Sequence, residues 1–330
     1  PQEYGGSGFG YDEYITAIME LTKLDPGVGL SMAAHNSLCT GHILQFGNEE
    51  QKKKWLPKLA TAEWIGSCGL TEPNTGSDAG NMKTTAKKDG DDYIINGTKM
   101  WITNSPSADY ICLLANTSDD KVHINKSLII VPMNTPGVTV GAKLNKLGMR
   151  SSETAQVFFE DVRVPQSNRI GNEGMGFMMQ MMQFQEERMY VAAMSLKSME
   201  ICIDSTIEYC RERETFGQPL INNQVIHFRM AELQTEVEAL RCMVYQACEG
   251  YLNKQDMTRL ASMAKLKSGR LVREVADSCL QYWGGMGFMW DNVVSRFYRD
   301  NRLASIGGGA DEIMIGIICK YMDILPKKRK

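Results

Sequence analysis

The hydrophobic positions of this 330-residue chain change their period twice. From Tyr14 to Leu24, Ser31 to Phe46 and Glu49 to Ala60, apolar residues recur three and four apart, the spacing that gathers them on one face of a helix. Gly5-Gly6, Asp25-Pro26-Gly27 and Gly47-Asn48 separate these runs. Near Gly66 the period shortens. Thr84 to Lys87, Tyr93 to Ile95, Met100 to Thr103, Tyr110 to Ala115, Ser127 to Pro132, Val138 to Val140 and Thr154 to Val164 are short and rich in β-branched and aromatic residues, as strands are. Turn signals at Asp89-Gly90, Asn96-Gly97, Asn134-Thr135-Pro136-Gly137 and Gly148 divide them. After Ile170-Gly171 helical spacing returns, over Met175 to Cys210, Gln224 to Leu252, Met257 to Tyr282 and Asp311 to Met322.

Helices, then strands, then helices predict an α+β chain rather than a βαβ repeat, and no GxGxxG joins a strand to a helix. The expected architecture is an N-terminal helical domain over residues 1–65, a middle antiparallel β-barrel or sandwich over 66–171, and a C-terminal four-helix bundle over 172–330.

Composition narrows the function classes. A charged content of 23% and a net charge of -3 leave no basic excess for nucleic acid, and no run of about 18 apolar residues is present to span a membrane. The nine cysteines are odd in number and lack CxxC spacing, which reads as reduced thiols in an intracellular compartment rather than a disulfide framework or a zinc site. His35, His42, His123 and His227 lie far apart, so no metal is assigned. Met175, Met178, Met179, Met181 and Met182 read first as a packed helix face, and Lys327-Lys328-Arg329-Lys330 as a solvated tail.

Candidate chemistry gathers in five stretches. Cys68-Gly-Leu-Thr-Glu-Pro-Asn-Thr-Gly-Ser-Asp78 and Lys99-Met-Trp-Ile-Thr-Asn104 are hydroxyl-rich, the second carrying an indole. Leu147-Gly-Met-Arg-Ser-Ser152 precedes Phe159-Glu-Asp-Val-Arg-Val-Pro165, and Arg211-Glu-Arg-Glu-Thr-Phe-Gly217 precedes Gln224. Finally, Gln281, Gly284-Gly285, Gly287, Phe288, Asp291, Arg296 and Asp300 lead to Ile306-Gly-Gly-Gly-Ala-Asp-Glu312. Clustered glycines mark sharp turns or close approach, where a Cβ would collide; alone, a GGxG reads as loop-closing glycine between helices.

In this order, the blocks resemble the acyl-CoA dehydrogenase family over essentially the whole chain. The resemblance implies an FAD site with contacts from Cys68, Leu70, Thr71, Gly76, Ser77, Trp101 and Thr103, and from Gln281, Gly284, Gly285, Ala310 and Glu312. Arg213, Thr215, Phe216 and Gln224 correspond to the segment that reaches the FAD of a neighbouring subunit, whereas without the family Arg213 reads as a helix-end salt bridge. Where many relatives carry the catalytic carboxylate, this chain has Gly308, and glycine cannot take a proton. In Phe184-Gln-Glu-Glu-Arg-Met189 the Glu-Arg pair resembles the long-chain and isovaleryl branches, which carry the base on this helix. Glu187 is then the base, Gly308 keeps its backbone N–H for the thioester oxygen, and Ser77, Arg188 and Gly307 adjoin the substrate. Glu186, with no matching role, reads as a solvated carboxylate.

The implied activity is α,β-dehydrogenation of an acyl-CoA to a trans-2-enoyl-CoA, with electrons passed to an electron-transfer flavoprotein and a homotetramer built as a dimer of dimers. Acyl-CoA oxidase and a non-catalytic relative are the competing readings. Gly307 points to the isovaleryl branch and Gly287-Phe-Met-Trp290 to the long-chain branch, so both a branched short chain and a longer acyl group stay open. The opening Pro-Gln-Glu-Tyr-Gly-Gly resembles an internal loop of the family, which implies a missing preceding helical segment. The expected location is the mitochondrial matrix for a eukaryotic source and the cytoplasm otherwise.

Overall fold

The computed structural model describes residues 1–326. The basic Lys327-Lys328-Arg329-Lys330 lies outside the described residues. Packing divides the chain into two compact units, neither continuous in sequence: Pro1–Phe9, Leu30–Asn145 and Ser151–Glu187 form the first, and Gly10–Gly29, Lys146–Arg150 and the chain from Arg188 onward the second.

Helix α1 (Tyr11–Leu24) is followed at once by α2 (Pro26–Ala33), whose backbone continues through a π-helical stretch, Ala34–Thr40, into α3 (Gly41–Phe46). Asp25-Pro26-Gly27 is therefore a helix start rather than a loop. The Asp25 carboxylate accepts the Gly27 N–H at 2.8 Å, and proline loses nothing in a first turn, where its missing N–H would have no helical partner. Helix α4 (Glu49–Ala60) begins where its sequence says, because Asn48 and Gln51 exchange side-chain and backbone hydrogen bonds of 2.8 and 3.0 Å in a capping box.

The middle of the chain forms strands β1 (Gly66–Gly69), β2 (Thr85–Asp89), β3 (Asp92–Thr103), β4 (Tyr110–Asn116), β5 (Lys126–Pro132), β6 (Val138–Val140), β7 (Thr154–Pro165) and β8 (Arg169–Ile170). They pair in one sheet of order β6-β7-β3-β2-β4-β5-β8, with β1 joined to β4. Most pairings are antiparallel as expected, but β1 runs parallel to β4 because the β2–β3 hairpin between them returns the chain to its starting direction. The apolar runs of β4 and β5 follow from burial on both faces: Ile111, Leu113, Ile129 and Val131 enter one core with Tyr93, Val157 and Phe159. Cys112, Leu114, Leu128 and Ile130 enter another with Ile43, Trp55 and Leu59.

One expectation fails locally, and one strand goes unannounced. Asn96-Gly97 makes no turn; β3 runs through it with a bulge, Asn96 exchanges two 2.9 Å hydrogen bonds with Asp161, and a Cβ on Gly97 would lie 2.4 Å from Thr84 Oγ1. Strand β1, Gly-Ser-Cys-Gly, has no β-branched or aromatic residue to announce it.

In the second unit, α5 (Gly176–Glu212), which begins in the first, leads to a two-strand hairpin, β9 (Glu214–Thr215) with β10 (Gln218–Pro219), and then to α6 (Gln224–Leu252) and α7 (Thr258–Trp283). Met189, Ala247 and Ala261 join these three helices in one core. Tyr209 and Trp283 stack at 4.1 Å, and the Trp283 indole donates to Thr206 at 3.1 Å. Helix α8 (Val293–Asn301), unannounced by periodicity, and α9 (Asp311–Tyr321) pack on α7. Among the described residues no helix is long and apolar enough to cross a membrane.

Candidate active site

The first unit brings the two hydroxyl-rich stretches together. Thr71 carbonyl accepts the Met100 N–H at 2.8 Å, and a buried ion pair joins Glu72 to Lys99 at 3.0 Å. Lys99 Nζ also donates to the Leu70 carbonyl at 3.0 Å, while Glu72 accepts the N–H groups of Lys83 and Thr84 at 2.6 and 2.8 Å. Burial draws the Lys99 ammonium down to about 8 against the pull of Glu72. Burial likewise works to raise the Glu72 carboxyl, but Lys99 and the two N–H donors hold it below its ordinary value.

Around this clamp, the loop turns tightly: Glu72 and Thr75 exchange backbone bonds of 3.0 and 3.2 Å, and Gly76 and Ser77 are exposed beyond it. Leu70, Thr71 and Thr103 are half-buried. Thr75 Oγ1 is buried with no hydrogen-bond partner among the described residues. Trp101 sits in a bulge with φ of 58°, a conformation a bulky side chain rarely adopts, and the residue is 58% exposed.

Helix α5 carries the two glutamates, and their environments reverse one expectation. Glu186 is not solvated: it is 8% exposed, and Gln45 and Gln183 each donate an amide to its carboxylate at 2.7 Å. It turns inward because the preceding turn of α5 puts Gln183 on the same helical face. Glu187, one position on and half-buried, points elsewhere. Burial first, then the Cys39 thiol and the Glu187 carboxylate, push the Cys68 thiol well up, so Glu187 lies close to the end of β1 from which the loop departs. The Cys68 thiol itself faces Gln180 Oε1, at 3.9 Å. Arg188 is buried.

In the second unit, α7 ends at Trp283 and the chain turns through Gly284, with φ of 56° and ψ of -137°. A Cβ at Gly284 or Gly285 would meet no atom within 4 Å, whereas at Gly287 it would lie 2.8 Å from the Leu280 carbonyl. Close packing within the chain thus accounts for Gly287 alone of the three; the first two border open space. Gln281 and Phe288 are exposed beside them. At the second glycine run Gly308 has φ of 63°, its N–H has no hydrogen-bond partner among the described residues, and Lys265 donates to the Gly309 carbonyl. Gly307 leaves its Cβ position 3.4 Å from Leu303. Ala310 precedes α9 without a side-chain cap, and Glu312 is exposed in the first turn.

The β9–β10 hairpin presents Phe216 fully exposed at its tip, with Phe216 and Gly217 both at positive φ, 54° and 78°. Arg213 and Gln224 are exposed and Thr215 half-buried. Among the described residues Arg213 has no ion pair, so the helix-end salt bridge is not made.

Residues 1–63 match the acyl-CoA dehydrogenase N-terminal domain, 67–162 its middle domain and 174–322 its C-terminal domain. The chain belongs to the acyl-CoA dehydrogenase family. It is 39% identical over 322 residues to an acyl-CoA dehydrogenase of Bacillus subtilis (strain 168), across 98% of this chain and 85% of that one. Mitochondrial isovaleryl-CoA dehydrogenase of Pongo abelii is 39% identical over 319 residues, 95% of this chain and 74% of that one. The solved butyryl-CoA dehydrogenase from Megasphaera elsdenii matches with a TM-score of 0.94 at 36% identity, over 98% of this chain and 85% of that one. Membership makes the chain a flavin-dependent oxidoreductase of the acyl-CoA dehydrogenase type.

The family's cofactor is FAD, and each unit offers features that fit it. The first has an exposed indole and an orphan hydroxyl on Thr75; the second has two glycines beside open space and a free N–H at Gly308. Glu72, Lys99 and Lys265 escaped the sequence reading, although the signal was there for Lys265. It lies on the buried stripe of α7 with Ala261, Ala264, Ser268 and Leu271, where a lysine needs a specific partner. Residues Leu147 to Ser152 form no strand, in keeping with the turn signal at Gly148; the Met149 N–H donates to the Asp300 carboxylate at 2.6 Å.

Proposed function

We propose that this dehydrogenase removes the α and β hydrogens of an acyl-CoA thioester, with Glu187 as the base. The observation that carries the reading is the contrast on α5: Glu186 is buried and engaged by two amides, while the half-buried Glu187 lies near the end of β1. Glu187 takes the α-proton, and Arg188 neighbours it in sequence. The Gly308 N–H donates to the thioester oxygen as negative charge develops there. FAD, when bound, supplies the acceptor for the hydride equivalent leaving the β-carbon. Cys68, Leu70, Thr71, Gly76, Ser77, Trp101 and Thr103 from the first unit, and Gln281, Gly284, Gly285, Ala310 and Glu312 from the second, are the residues proposed to hold it. Electrons then pass to an electron-transfer flavoprotein. Anaerobic titration of the purified yellow protein with acyl-CoAs tests this: bleaching of the flavin is expected, and none with any acyl-CoA would leave a non-catalytic relative.

The exposed Phe216 hairpin supports a shared cofactor site in a homotetramer built as a dimer of dimers. Arg213→Ala is expected to weaken FAD retention and assembly together, since anything bound across two subunits links the two equilibria. Gel filtration of apo and FAD-loaded protein checks it; an FAD-replete monomer of unchanged affinity would rule out sharing.

Gly307 supports the isovaleryl-type branch, because its missing side chain leaves room whose nearest neighbours, the atoms of Leu303, lie at van der Waals distance. A tyrosine there should clash with a branched acyl group and spare straight chains. Gly307→Tyr is therefore expected to lower the ratio of branched to straight acyl-CoA rates by at least tenfold, roughly 1.4 kcal/mol. An unchanged ratio would exclude Gly307 from the substrate cavity.

A further inference from the structure

We infer that Glu72 and Lys99 are a positioning pair that fixes the shape of the cofactor-facing surface of the first unit. The inference rests on reading the Cys68–Asp78 and Lys99–Asn104 stretches as FAD-binding. Leu70, Thr71 and Glu72, consecutive in the first stretch, are each tied to the second: Leu70 carbonyl to Lys99 Nζ, Thr71 carbonyl to Met100 N–H, and Glu72 carboxylate to Lys99 Nζ. The next residue is the strained, exposed Trp101. A bulky side chain stays at positive φ only where its surroundings over-determine the backbone, and three bonds to the two preceding residues do that.

Stability is a poor explanation for the pair. Two charges taken out of water lose hydration that their attraction only partly restores, and uncharged substitutes of similar size commonly serve a core as well. Both side chains are almost wholly buried, at 0% and 5% exposure for Lys99 and Glu72. What an ion pair provides and an apolar pair does not is direction: Lys99 aims one donor at a backbone carbonyl and another at a carboxylate that itself holds the N–H groups of Lys83 and Thr84. The geometry of three backbone groups thus depends on one pair.

The test separates position from stability. Glu72→Gln alone strands the Lys99 charge and is expected to unfold the protein easily. The double variant Glu72→Gln with Lys99→Met removes both charges and keeps an acceptor for one N–H. It is expected to match the wild-type denaturation midpoint while binding FAD at least tenfold more weakly, with an altered visible circular dichroism of bound flavin. Glu72→Asp keeps both charges and retracts the carboxylate; it is expected to fold and to weaken FAD severalfold. A wild-type FAD Kd and flavin dichroism in either folded variant would overturn the inference. A wild-type chain that takes up no FAD would instead overturn the functional reading beneath it.

Discussion

Glu187→Gln is expected to retain FAD and acyl-CoA and to slow anaerobic flavin bleaching by roughly 10³-fold, within the range usual for loss of a general base. The amide preserves the volume and a hydrogen-bonding oxygen, so binding changes little; it has no basic site at neutral pH, so the α-proton has no acceptor. Its neighbour does not stand in. Glu186 is buried, and its carboxylate is committed to Gln45 and Gln183, so that freeing it would leave the buried Gln183 amide donor unmatched inside the first unit. Rapid mixing of each variant with acyl-CoA reads the result directly. Fast bleaching by Glu187→Gln alongside a dead Glu186→Gln would show that the wrong carboxylate has been named.

The elements were legible in the sequence wherever local chemistry and burial agree. Glu49–Ala60 begins at a capping box and Gln224–Leu252 follows an asparagine, and both match their predicted spans. Failures came where a residue has two uses. Asn-Gly is the strongest short turn signal, yet at Asn96 the amide is taken by Asp161 across the sheet and the glycine by a close approach of Thr84. Pro26 ends one helix pattern and starts the next helix. The candidate site was legible as blocks, not as geometry. Nothing local says that Glu72 and Lys99 share a buried bond, or that Glu186 rather than Glu187 turns inward. Those facts depend on which elements pack together, and packing partners are far apart in the chain.

Gly148 carries the second large expected effect, and it follows from such a distant partner. The Leu147-Gly-Met-Arg150 stretch lies against the end of α8, where a Cβ on Gly148 would stand 2.3 Å from the Arg299 carbonyl oxygen and 2.6 Å from the Asp300 nitrogen. These are backbone atoms, which cannot rotate away as a side-chain tip does. Moving them would also stretch the 2.6 Å bond from Met149 N–H to the Asp300 carboxylate, and would disturb the guanidinium of Arg299, seated 3.7 Å over the Trp290 ring. Gly148→Ala is therefore expected to cost about 3 kcal/mol, the upper end of ordinary overpacking, because the strain comes with loss of a charge-assisted hydrogen bond. Gly285→Ala is the control, since a methyl there meets nothing within 4 Å. It should shift stability by less than about 0.5 kcal/mol while weakening FAD, if that open space is where the cofactor lies. Guanidinium denaturation of both variants, followed by tryptophan fluorescence, measures the contrast. Equal midpoints for the two would mean that the approach of Gly148 to Arg299 is not a feature of the folded protein.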